Sequence, residues 1–277
     1  MDKGTLFPTL KGTPQGGIIS PLLMNMTLDG MENAIRKAVT WYIPGTKARN
    51  GIAIIRYADD FVITCKSREV LEIKVLPALK EFLLKRGLAL SDEKTRIVNV
   101  NNGFEFLGQS LRKYDGKLII KPTKESLKKI QERIVGILKS HDAGSVPSMI
   151  RRLNQTIRGY CNYHRTACSS KTFYRLDNFM YNAVKRWLHG RHPNKGRRWI
   201  TKKYYRTVKG NRWIFHSVSV DEKGSKKVVD LQRASWIGII RHVKVRSGAN
   251  PYDPAYQEYF ACRKSNMRYC SLDRRFV

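Results

Sequence analysis

The sequence predicts an α/β segment, then a helical bundle, then a basic and aromatic C-terminal region. Three observations support this reading. Residues 1–120 alternate short β-branched runs with helix-like stretches, residues 121–190 hold a helical period throughout, and no acidic residue occurs between Asp177 and Asp221. At 277 residues and 42% hydrophobic content the chain can fold and bury two or three cores.

Taken in order, Gly12-Thr-Pro-Gln-Gly-Gly17 is a turn-rich loop that enters a helix at Ser20-Pro21, with Ser20 as N-cap and Pro21 at the first helical position. Leu22, Leu23, Met26 and Met31 form its expected apolar face. Gly51–Ile55 and Phe61–Cys65 flank Arg56-Tyr-Ala-Asp-Asp60 and read as a buried β-hairpin. Val70–Arg86 is helical in pattern, started or kinked at Pro77 and ended by Gly87. Phe104–Gly108 and Leu118–Ile120 suggest a second hairpin, turned at Tyr114-Asp-Gly-Lys117.

Pro122-Thr123 then opens a helix carrying Leu127, Ile130, Ile134 and Ile137 on one side. Pro147 opens a second, with Met149, Leu153, Ile157 and Tyr160, and a third carries Phe173, Leu176, Met180, Ala183 and Trp187. Three such helices joined by short loops make a small bundle. From residue 191 the chain reads as irregular. Arg197, Arg198, Lys202 and Lys203 stand there among Trp199, Tyr204, Tyr205 and Trp213.

Charge narrows the function. With 53 Lys+Arg against 22 Asp+Glu the formal net charge is +31. Such a field attracts polyanions, and binding them releases condensed counterions, so nucleic acid is the expected partner. Cations hold backbone phosphates while flat rings stack on unpaired bases. No run reaches the ~18 apolar residues needed to span a bilayer, and no amphipathic anchor stands out, so no membrane partner is expected. Five cysteines without a CxxC pair suggest reduced thiols in an intracellular protein and argue against a zinc ribbon.

The sharpest local feature is Tyr57-Ala-Asp-Asp60. Two adjacent carboxylates at a hairpin tip repel one another and favour a cation. Mg²⁺ suits them because it takes carboxylate oxygens and keeps positions for water and substrate phosphates. An ordinary acidic turn explains the same residues.

Tyr57-Ala-Asp-Asp60 resembles the YADD motif of reverse transcriptases, motif C of their palm. Gly12-Thr-Pro-Gln-Gly-Gly-Ile-Ile-Ser-Pro-Leu-Leu23 resembles motif B of the group II intron enzymes, in the right order and spacing. Leu88-Ala-Leu-Ser-Asp-Glu-Lys-Thr95 is similar to motif D, and Phe106-Leu-Gly108 to the primer-grip hairpin. Arg158-Gly-Tyr-Cys-Asn-Tyr-His164 resembles the maturase thumb, or domain X. Asn250-Pro-Tyr-Asp-Pro254 with Tyr259-Phe260 resembles the end of the DNA-binding region.

The resemblance implies a partial right-hand polymerase palm over 1–120, a helical thumb over 121–190 and a basic nucleic-acid-binding region over 191–277. It makes Asp59 and Asp60 catalytic Mg²⁺ ligands and sets Gln15, Gly16 and Gly17 against template and nucleotide, with Lys94 near the nucleotide phosphates. Phe106, Leu107 and Gly108 would grip the primer. Arg158, His164, Arg197, Arg198, Lys202 and Lys203 would meet RNA or DNA, the partners being group II intron RNA and a DNA target. In the family a third carboxylate comes from motif A, N-terminal to motif B, where this sequence has only Met1 to Lys11. The expectation is therefore a chain without fingers and motif A, inactive as a polymerase by itself: half of a split enzyme whose site a separate N-terminal fragment would complete, part of a longer protein, or a remnant kept for RNA binding. A non-enzymatic splicing cofactor that binds RNA is the alternative. With no CxxC pair, no DNA cleavage of its own is expected.

Overall fold

The structure is a computed structural model that describes residues 17–39, 51–141, 145–220, 224–240, 245–246 and 249–264. It divides into two compact units, Met1–Phe106 and Leu107–Val277. Each mixes helix and strand, which the alternating patterns over 1–120 predict for the first unit but not for the strands beyond residue 190 in the second.

The first unit opens with α1 (Ser20–Thr27) and α2 (Met31–Ala38). Ile19, not Ser20, is the N-cap, and Ser20-Pro21 fill the first two helical positions. The turn that leads in, where Ser20 N donates to Gly17 O and Leu22 N to Ile19 O, starts the helix one residue early. The expected continuous apolar face is also broken. Gly30 takes φ +79°, a left-handed conformation that glycine adopts without a Cβ clash, and it redirects the chain. Met31 and Ile35 of α2 are then buried, whereas Leu22, Leu23 and Met26 of α1 stay exposed.

Strands β1 (Ala53–Tyr57) and β2 (Asp60–Thr64) form the antiparallel hairpin, with Tyr57 opposite Asp60. It is half-buried rather than buried. Ile54, Phe61 and Ile63 pack on the core of the first unit, while Ile55 and Tyr57 point outward and are exposed. Successive side chains alternate between faces, and only one face is covered. Helix α3 (Arg68–Val70) runs through a π-helical turn (Leu71–Val75) into α4 (Leu76–Leu84). Pro77, just inside α4, has no N–H to donate. In the turn before it, Leu76 N–H reaches back five residues to Leu71 O. At Gly87 two bonds close the end, Leu88 N to Leu83 O at 3.0 Å and Gly87 N to Leu84 O at 3.0 Å. Val75, Leu79, Phe82 and Leu83 complete the core with Met31 and Ile35. Strand β3 (Phe104–Phe106) ends this unit.

The second unit starts with the hairpin β4 (Gln109–Tyr114) and β5 (Lys117–Pro122), turned at Asp115-Gly116, both at positive φ. The turn falls where the sequence places it, but Leu118–Ile120 pair with Leu111–Lys113 and not with 104–108. A two-residue turn dictates that register. Three helices follow: α5 (Lys124–Lys139), α6 (Val146–His164) and α7 (Ser170–Arg191). Thr123 caps α5 by accepting from Ser126 N at 3.0 Å. The predicted stripes are buried: Ile130, Ile134 and Ile137 on α5, Met149, Leu153 and Ile157 on α6, and Phe173, Leu176, Met180 and Ala183 on α7.

Beyond α7 the chain is regular where the sequence suggested irregularity. Helix α8 (Arg197–Tyr204) leads into an antiparallel meander of β6 (Tyr205–Val208), β7 (Asn211–Val220) and β8 (Lys226–Asp230), and α9 (Gln257–Lys264) follows later. Ile200, Tyr204, Phe215, Leu231 and Ala234 join the helices in one core. No described helix is long and apolar enough to cross a membrane.

Candidate nucleic-acid interface

The β1–β2 tip presents the paired carboxylates. Ala58 takes φ +55°, a left-handed conformation that costs a residue with a Cβ about 1–2 kcal/mol. Arg56 sustains the turn, since its guanidinium donates to Ala58 O at 3.1 Å and to Asn25 Oδ1 at 2.9 Å. Asp59 is thereby held at the turn and Asp60 opens β2 on the outward face, both exposed. Among the described residues neither carboxylate has a hydrogen-bond or ion-pair partner. Two unneutralised, oxygen-only acceptors held side by side suit a hard divalent cation. Among the described residues no group of three His, Cys, Asp or Glu side chains comes together here or elsewhere.

A second constellation lies in the second unit around residues 107 and 108. Leu107 (φ +49°) and Gly108 (φ +70°) are consecutive left-handed residues. The Tyr163 hydroxyl donates to Leu107 O at 2.7 Å, and Thr123 N donates to Gly108 O at 3.0 Å. The tight turn is thus tied both to the end of α6 and to the cap of α5. Tyr163 meets the edge of His164 at 4.8 Å between centroids.

His164 itself is only 1% exposed, so it is not the surface contact that the sequence suggested. Its Nε2 lies 3.1 Å from Ser126 Oγ, and its Nδ1 is buried without a partner among the described residues. Burial lowers its pKa to about 4, so the ring is neutral at physiological pH. The same packing pushes Tyr160 up to about 12. It also pushes the Cys161 thiol up to about 12, burial first and the Asp177 charge second, leaving that sulfur inert as a nucleophile.

The third constellation is the basic surface of α8. Ile200 and Tyr204, four residues apart, are buried, and Arg197, Arg198, Lys202 and Lys203 are left exposed. Two guanidiniums at a helix N-terminus oppose the helix dipole, a local conflict that a bound anion would relieve. Lys203 Nζ stands 4.7 Å and Lys195 Nζ 5.6 Å from the Trp199 ring centroid. His192 bonds Tyr204 Oη through Nε2 at 2.8 Å. Its pKa is lowered by burial and by the charges of Lys203, Arg191 and Lys195. Nothing in the local sequence marked His192 for this place.

Other predicted residues are scattered. Gln15 and Gly16 lie outside the described residues, while Gly17 leads into α1. Lys94 is exposed in the turn that begins at Ser91. Phe106 closes β3, and Arg158 is exposed on α6, its Nε 3.4 Å from Asn154 O. Asp177 carried no functional expectation, yet it is buried in α7 and accepts from Ala234 N at 2.6 Å, Ser235 N at 3.2 Å and Arg233 Nε at 3.3 Å. The only hint in the sequence was an acidic residue inside an apolar helical stripe.

Residues 2–111 match the family described as reverse transcriptase (RNA-dependent DNA polymerase). Residues 127–205, from within α5 to the start of β6, match the group II intron, maturase-specific domain. Protein YkfC of Escherichia coli (strain K12) is 30% identical over 134 residues, covering 40% of this chain and 35% of the relative. The chain therefore spans about a third of the length of that curated relative.

Proposed function

This chain belongs to the group II intron-encoded reverse transcriptases/maturases, and from that membership we propose that it serves RNA-directed DNA synthesis and the handling of intron RNA. The observation that carries the reading is the succession, in one chain, of a reverse transcriptase match holding the Tyr57–Asp60 hairpin and a maturase-specific match.

Within it, Asp59 and Asp60 would hold Mg²⁺. The fit rests on two exposed carboxylates on a braced turn that have no partner among the described residues. When bound there, the ion supplies charge neutralisation for phosphates and activation of an attacking 3′-oxygen. The remaining oxygen ligands would come from water, from substrate phosphates or from a further carboxylate on another segment or chain. Arg56 positions the pair by bracing Ala58. Gln15, Gly16 and Gly17 would border template and nucleotide, Lys94 would lie near the nucleotide phosphates, and Phe106, Leu107 and Gly108 would hold the primer strand.

The 191–277 region and Arg158 would bind RNA and, in a mobile intron, the DNA target. The family supports a nucleic-acid partner in general, and the exposed cations of α8 supply the chemistry. The test is primer extension on poly(rA) with an oligo(dT) primer and Mg²⁺. We expect product from the chain, supplemented where needed by an N-terminal reverse transcriptase fragment, and its loss in Asp59→Ala. Product that survives Asp59→Ala overturns the assignment.

A further inference from the structure

Between α7 and the β6–β7 edge the second unit holds a cleft of about 220 Å³. Its walls include Tyr181, Tyr205 and Trp213, with Arg212, Gln232 and Arg233 at its border. A volume below the ~300–1,000 Å³ of ordinary small-molecule sites suits one flat ring system rather than a whole cofactor.

Trp213 is the first sign that the cleft is built for contact. It sits at φ +66°, a conformation that is an outlier for a bulky side chain. The strain coincides with a bulge, because the β6–β7 register slips between Arg206 and Val208, leaving Thr207 opposite both Arg212 and Trp213. A bulge of this kind ordinarily takes glycine. Here it carries an indole that remains 51% exposed. Backbone strain that leaves a large aromatic ring half in solvent gains the fold little, and this is the pattern of a side chain aimed at a ligand.

Tyr205 is the second sign. Its ring packs between Tyr181, at 6.0 Å, and Trp213, at 6.2 Å and 72°. Its hydroxyl is buried and has no hydrogen-bond partner among the described residues. An orphaned buried hydroxyl costs about 1–3 kcal/mol, a penalty that a ligand offering a donor or acceptor would remove. Burial raises its pKa, so it stays a neutral phenol able both to donate and to accept. Cations frame the rings: Lys185 Nζ lies 6.0 Å from the Tyr181 centroid, Arg212 is exposed, and Arg233 is fixed by Asn211 Oδ1 at 2.8 Å and by Asp177.

We propose that this cleft receives a single unpaired nucleobase of a bound RNA, stacked on Trp213 and hydrogen-bonded to the Tyr205 hydroxyl once a shift of that ring uncovers it, with Arg212 on the adjoining phosphate. The inference rests on the RNA-binding role proposed for this unit and adds to it a base-reading position. Aromatic rings accept any base face, so the cleft distinguishes unpaired from paired nucleotides more than it reads sequence.

The test uses the full chain and two RNA hairpins that differ only in one bulged nucleotide, intact in one and abasic in the other. Equilibrium binding by the unaltered protein should favour the intact bulge about tenfold, the scale of one base–aromatic stack. Trp213→Ala should abolish that preference, and Tyr205→Phe, which keeps the ring and removes only the hydroxyl, should reduce it. Trp213→Gly relieves the strained φ, so it should lose the preference without a lower melting temperature. Equal binding of the two hairpins by the unaltered protein, or a preference that survives Trp213→Ala, overturns the cleft while leaving RNA binding intact. No salt-dependent binding of either hairpin overturns both the cleft and the RNA-binding role.

Discussion

At the scale of single residues, the protein keeps its polar groups either strained or starved of partners at a few places. Ala58, Leu107 and Trp213 all hold positive φ without being glycine, and each stands beside a constellation with chemical meaning. His164 is the clearest case of a buried group that needs its neutral form. Its folded pKa, about 4, lies below the ordinary value of 6.5 because burial disfavours the cation. Its contribution to stability is therefore complete above about pH 6.5 and is lost as pH falls through about 4, since the unfolded chain binds the proton first. We expect the melting temperature to fall over this window, and His164→Gln to flatten that part of the profile. An unaltered profile in the variant would remove His164 as its cause. Tyr163 makes a different contribution. Tyr163→Phe deletes one hydrogen bond, worth about 0.5–1.5 kcal/mol, and should speed hydrogen exchange at the Thr123 amide that closes the same turn. Unchanged exchange would mean that Tyr163 does not hold the 107–108 turn. The motif containing both residues was plain in the sequence. Which of them faces solvent was not, because His164 and Tyr163 are neighbours on one helix and only the packing of α5 decides between them.

At the scale of elements, legibility followed burial geometry. Helices α5, α6 and α7 each bury one stripe, so their period of 3.6 survives in the sequence, and the predicted core positions are buried except for Leu127, Tyr160 and Trp187 at the stripes' ends, which are half-buried. The β6–β8 meander was missed because its alternation is masked. Ile214 and Phe215 are consecutive and both buried, and the bulge at Trp213 breaks the period of two just before them. The Lys209-Gly210 turn was its one readable signal. The bond between α7 and the segment that follows β8 was not legible at all, since it depends on Asp177 meeting the backbone of Ala234 and Ser235, more than fifty residues away. That carboxylate accepts from two backbone amides and from Arg233, and Asn154 adds bonds to Gln232 N and Asp230 O at 2.8 Å each. Asp177→Ala would leave the buried Ala234 N–H unpaired, free the Ser235 N–H to solvent and release Arg233, and should destabilise the second unit by about 2–3 kcal/mol. Urea denaturation followed by tryptophan fluorescence measures it. A loss under about 1 kcal/mol would show that the meander holds without the clamp.

At the scale of the whole molecule, a net charge of +31 sets what the protein can bind before any motif does. The charge was fully legible, and so was the order of the recognisable motifs, because both are properties of the chain rather than of its packing. What packing adds is selection: α8 buries Ile200 and Tyr204 and leaves four cations exposed around a half-covered tryptophan. This basic surface is proposed to bind structured RNA through phosphate contacts. Affinity for a group II intron RNA, measured over a range of monovalent salt, tests it most directly. The prediction is a steep linear fall of log affinity with log salt, made shallower by up to about 3 in slope when Arg197, Arg198, Lys202 and Lys203 are all replaced by Ala. A flat salt response, or a slope that the fourfold variant leaves unchanged, would contradict it.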